Sequence, residues 1–168
     1  ADAISIVKKT NNKNVEFGAY FKNNNGDSVT NIDANTNSDS LVLYFKVAVK
    51  QEGYFDGKIN LRTANFNLKS NILSDAVNKI EDNVIYLNQI NAGEEKEIQV
   101  GIELKKDEQF DLNLINLESV ASIEGIYRDQ KEKDISIKAD RSVTLNFINT
   151  EDTAILTQEV VTKKELYN

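Results

Sequence analysis

The chain has 168 residues, 40% of them hydrophobic, enough for one buried core, and it contains no Pro, Cys, Met, Trp or His. Without Cys or His there is no disulfide framework, no thiolate or imidazole metal site, no Ser-His or Cys-His nucleophile and no histidine base, which excludes most familiar enzyme chemistry. A formal net charge of -7 argues against nucleic acid and anionic lipid as partners, and no run reaches the roughly 18 apolar residues of a membrane span. Strand signals then follow in chain order as period-two alternation: Ile4-Lys8, Val15-Phe21, Ser40-Gln51, Lys58-Arg62, Phe66-Lys69, Val84-Gln89, Glu97-Leu104, Val120-Tyr127, Ile135-Lys138 and Val143-Ile148. The clearest is Ser40-Gln51, where Leu41, Leu43, Phe45, Val47 and Val49 share one face while Tyr44, Lys46 and Lys50 lie on the other.

Turn residues partition these runs. Asn23-Asn24-Asn25-Gly26-Asp27, Glu52-Gly53-Tyr54, Asp56-Gly57 and Ala92-Gly93 supply residues tolerant of positive φ, each expected at a strand boundary. One helical segment is expected at about 71-81, because Ile72, Leu73, Ala76, Val77 and Ile80 have helical spacing, with a weaker helical turn near Lys105-Asp111. The expected fold is all-β: an antiparallel β-sandwich with that one short helix. A core domain over 1-148 closes at the polar break Asn149-Thr150-Glu151-Asp152, and 149-168 reads as a linker or first strand toward a following domain, or as a final strand of the same sheet. Ala1-Asp2-Ala3 has the small residues that follow a signal-peptidase cut, although an excision boundary looks the same.

Three constellations carry chemistry. Asp33, Asn35, Asn37 and Asp39 place oxygen-bearing side chains at alternate positions of one loop, as Ca2+ requires. Ser38 and Tyr44 stand where an EF-hand needs Gly and Glu, so a solvated Asn-rich loop is the competing reading. Lys46 and Lys50 lie on the less apolar face of the longest strand and Asn146 on the polar face of the last core strand, where a Lys-Asn isopeptide bond would need a desolvated, neutral lysine; ordinary surface residues are the alternative. Tyr44 and Tyr54 flank one strand and its following turn, and exposed tyrosines there would form a ligand platform. The acidic pairs Glu94-Glu95, Asp107-Glu108 and Glu151-Asp152 fall in turns and read as solubilising charge, not as glycosidase carboxylates.

Two segments together resemble a family. Leu43-Tyr44-Phe45-Lys46-Val47-Ala48-Val49-Lys50-Gln51-Glu52-Gly53-Tyr54 with Gly57-Lys58-Ile59, and Ile85 to Val100 with its Ala92-Gly93-Glu94 turn, are similar to the strand, Gly turn and strand signatures of Ig-like conserved-repeat domains, including the cell-adhesion-related type, in large Gram-positive surface proteins. The resemblance covers about Ser40 to Tyr127. It implies an Ig-like sandwich, no catalytic residues, and a structural or adhesive module of an exported, wall-anchored protein, monomeric within a longer chain, meeting a host or extracellular-matrix protein or a glycan. The competing readings are a carbohydrate-binding module of a secreted multidomain enzyme and a phage or pilus subunit.

Overall fold

The computed structural model describes residues 14–22, 26–33, 41–50, 52–105, 116–131 and 133–148. Among these the strands are β1 (Val15–Lys22), β2 (Ser28–Val29), β3 (Asn31–Asp33), β4 (Val42–Val49), β5 (Gly53–Thr63), β6 (Phe66–Leu68), β7 (Val77–Glu81), β8 (Val84–Leu87), β9 (Ile90–Asn91), β10 (Glu95–Leu104), β11 (Asn116–Asp129) and β12 (Asp134–Ile148). They form two sheets, ordered β2-β1-β4-β10-β6 and β3-β12-β11-β5-β8-β7, with β9 also on β5. Pairing is antiparallel throughout, except that β3 runs parallel to the end of β12. The fold is a β-sandwich.

Alternation builds it. On β4, Leu43, Phe45, Val47 and Val49 point inward and are buried; they meet Ile98, Val100 and Ile102 of β10 in their own sheet and Phe55, Ile59, Leu117 and Ile123 of the facing sheet in one apolar cluster. Each such side chain contributes about 1.5–3 kcal/mol relative to exposure. No buried side-chain N or O atom lacks a partner among the described residues.

The expected helix over 71-81 is instead a turn followed by β7. A bulge between Val77 and Lys79 inserts one residue, so the inward side chains Val77 and Ile80 stand three apart and imitate helical spacing. Asp82 and Asn83, at φ 52 and 61, make the tight two-residue reversal into β8. Ile72 and Leu73 are 49% and 62% exposed and belong to no apolar face.

Two other boundaries differ from expectation. Ile135-Lys138 and Val143-Ile148 are parts of one strand, β12. Arg141 interrupts the apolar pattern, yet it faces inward at the sheet edge, where its Nε donates to the Phe17 carbonyl of β1 (3.0 Å). Asp56-Gly57 is no turn: Gly57 sits inside β5, directly opposite Gly125 of β11. A Cβ on Gly57 would strike the Phe55 ring and the Glu124 carbonyl, and one on Gly125 would come within 2.6 Å of the Gly57 Cα and 2.9 Å of the Phe55 ring. The paired glycines make room for that buried ring. Gly53, by contrast, is a true reversal at φ 137, held where the Tyr127 hydroxyl donates to the Glu52 carbonyl. Ile4-Lys8, 106–115 and 149–168 lie outside the described residues.

Gly57→Ala and Gly125→Ala should each lower stability by about 1–3 kcal/mol through overpacking, read as a lower urea midpoint at unchanged slope. Gly18→Ala, whose Cβ would meet nothing nearer than 4.0 Å, should stay within about 0.5 kcal/mol of the parent.

Candidate binding surface

The outer face of the five-stranded sheet is organised in cross-strand rows. Because β1, β4 and β10 are adjacent, register places Tyr20 opposite Tyr44 and Tyr44 opposite Gln99. The two rings are parallel within 5°, with centroids 6.0 Å apart. Lys22, two residues after Tyr20 and so on the same face, holds its Nζ 5.4 Å from the Tyr20 centroid and 4.6 Å from that of Tyr44. The same Nζ lies 2.7 Å from Glu97 Oε1, while the Tyr20 hydroxyl donates to Glu97 Oε2 at 2.9 Å. Next to this cluster, Lys46 pairs with Glu95 (2.7 Å), and Lys50 pairs with Glu16 (3.3 Å).

These contacts fix the ionisation states. Burial, then the hydrogen bond and charge of Glu97, pushes the Tyr20 phenol up to about 12. The Lys22 hydrogen bond holds the Glu97 carboxyl below its ordinary value, and Lys46 does the same for Glu95 while its own ammonium is raised in return. The Tyr44 hydroxyl and the Gln99 amide have no hydrogen-bond partner among the described residues.

The opposite outer face has its own groups. Tyr54 on β5 accepts from Arg128 Nη1 (3.2 Å), and the guanidinium also pairs with Asp134 (2.9 Å). Glu124 accepts from Asn60 Nδ2 (2.9 Å) and faces Lys58 (3.4 Å); the Asn60 bond, ahead of Lys58, keeps its carboxyl below the usual value. These two residues, with Tyr86, Ile126, Ser136 and Lys138, edge a shallow hollow of about 520 Å³ over the paired glycines. Lys79 covers the Tyr86 ring at 4.7 Å.

The residues singled out in the sequence therefore separate. Tyr44 and Tyr54 lie on opposite outer faces and share no platform; the partner of Tyr44 is Tyr20. Lys46 and Asn146 also point from opposite faces, with the core between them, and Asn146 donates to Asn31 Oδ1 (3.2 Å) beside β3. The structure does not bring that pair together. Asp33 closes β3 opposite Ile148, whereas Asn35, Asn37 and Asp39 of the calcium reading lie outside the described residues. Glu94 accepts from the Asn91 amide (2.7 Å) and pairs with Lys96 (3.3 Å), which makes it a turn-stabilising carboxylate. Sequence reasoning missed Lys22, Glu97 and Gln99 and the pairing of Tyr20 with Tyr44; alternation places each on an outer face, but their convergence is a matter of register between strands far apart in the chain.

A scan against models of known protein families matches none, and a comparison with curated protein sequences finds no match.

An ultraviolet titration should show one phenol ionising at about 12, absent in Tyr20→Phe and moved back toward 10.0 in Glu97→Gln. A folded pKa above the unfolded one means the stabilisation is complete below pH 10.0 and is lost as pH rises toward 12. For Glu94, Glu95, Glu97 and Glu124 the sign is opposite: their depressed values stabilise above the ordinary carboxylate range, and stability falls as acid takes the pH down through the folded values.

Proposed function

We propose that this chain is a non-catalytic structural and adhesive module of an exported, wall-anchored bacterial surface protein. The observation that carries the reading is the pairing of charged side chains across neighbouring strands on both outer faces, Lys22 with Glu97, Lys46 with Glu95 and Lys58 with Glu124, and the direction of the resolved pKa displacements agrees with it. Glu94, Glu95, Glu97 and Glu124 move down, while Lys46, Tyr20, Tyr127 and Arg128 move up, each away from neutral pH. General acids and bases are tuned the other way, toward the operating pH. Here the charges are locked into cross-strand pairs that stiffen two outer faces over an apolar core, which suits a surface meant to be presented. Of the three glycines in the segments that resemble Ig-like conserved repeats, Gly53 and Gly93 sit at positive φ, 137 and 81, where the chain reverses, whereas Gly57 lies inside β5.

Antibodies raised against the folded chain should label intact, unpermeabilised cells of the producing organism, and brief protease treatment of those cells should remove the signal. Labelling that requires permeabilisation overturns the reading.

A further inference from the structure

We propose that the row Tyr20-Tyr44-Gln99 on the outer face of the five-stranded sheet is a binding strip for a neutral, extended glycan of pyranose units with equatorial hydroxyls. This inference rests on the adhesive reading and names the ligand class of its surface. Four observations carry it.

The Tyr20 and Tyr44 rings are parallel within 5° with centroids 6.0 Å apart, the only stacked pair of tyrosines among the described residues, and the Lys22 ammonium lies over both. Ring faces carry negative charge density and attract the polarised C–H groups on the flat face of a pyranose. Polar groups stand beside those rings with hydrogen-bonding capacity left over. The Tyr44 hydroxyl and Gln99 amide have no partner among the described residues, and the Lys22 ammonium, with three N–H donors, gives one to Glu97. Adjacent ring hydroxyls need such closely spaced donors and acceptors.

Charge then decides the class. Lys22 is matched by Glu97 and Lys46 by Glu95, both at 2.7 Å, so the strip presents no net charge. An anionic polymer would have to break these pairs, and the overall charge of -7 would repel it. Gly18, next to Tyr20 on the outward side of β1, raises no side chain between Lys46 and Tyr20, so a linear chain meets no bulk there as it continues past the rings.

The test uses the whole chain with cellohexaose and chitohexaose as neutral probes and heparin as the anionic one, followed by calorimetry and by tyrosine fluorescence, which no Trp obscures. The expected result is saturable binding of a neutral hexamer that is unchanged by added salt, weakened about tenfold or more in Tyr44→Ala. Gln99→Ala should weaken it a few-fold, and Tyr44→Phe, which keeps the ring, should lie between Tyr44→Ala and the parent. Tyr54→Ala, on the other face, should bind as the parent does. No binding of either hexamer by folded protein overturns the proposal, as does Tyr44→Ala binding equal to the parent, or heparin binding that salt abolishes with neither hexamer bound. Surface labelling of intact cells without glycan binding would sink this proposal alone, and glycan binding by a chain found only inside cells would sink the adhesive reading alone.

Discussion

The sandwich is organised around one ring and two missing side chains. Phe55 is fully buried where β5 meets β11, and its ring fills the space that Cβ atoms on Gly57 and Gly125 would need. β11 is the strand on which the larger sheet depends, since it pairs along most of its length with β5 on one side and β12 on the other. The facing glycines, Gly57 of β5 and Gly125 of β11, would leave that junction with little side-chain packing, and a neighbouring aromatic laid over them restores the apolar contact. The hollow edged by Tyr86 and Ile126 lies on the outer side of the same stretch of backbone.

The open sides of the sheets are managed by charge and irregularity. An exposed strand edge invites pairing with another chain, and inward charges, lysines and bulges discourage it. Arg141 is an inward-facing charge on β12, satisfied by a carbonyl of β1 in the other sheet, so one residue both joins the sheets and guards an edge. At the far side, β7 carries its bulge together with Lys79 and Glu81. β6 has its edge amide occupied, because Leu68 N donates to Asn83 Oδ1. Asn83 also accepts from the Leu61 amide through its carbonyl, so a turn residue binds elements of both sheets.

Much of this architecture was legible because apolar alternation is local. Leu43, Phe45, Val47 and Val49 declare β4 without reference to any partner, and the same holds for Val15-Phe21 and Glu97-Leu104. Where sequence reasoning strayed, a local exception had changed the period or the meaning of a residue. A bulge made Val77 and Ile80 look helical; the Phe55 ring made Gly57 look like a turn; a contact to Phe17 made Arg141 look like a break. The candidate surface was less legible for a different reason. Tyr44 could be placed on an outward face, but its neighbour Tyr20 is set by the register of β1 on β4. That register depends on the whole packed sheet. Tyr54 follows Tyr44 closely in the chain, yet the reversal at Gly53 carries it into the other layer, so nearness in sequence misled.

β3 runs parallel to the end of β12, and the hydrogen bond between Asn146 and Asn31 spans 115 positions. The Arg141 bond to Phe17 spans 124, and that of Tyr127 to Glu52 spans 75. Contacts of such separation make folding slow, because loop closure must precede any reward from pairing. A chain emerging from a ribosome with its N-terminus first holds β1 to β10 outside while β11 and β12 are still to come. Without them the larger sheet lacks its centre, and β5 has neither its main neighbour nor the second glycine that its Phe55 packs against. Closure of the larger sheet therefore waits for the long hairpin of β11 and β12.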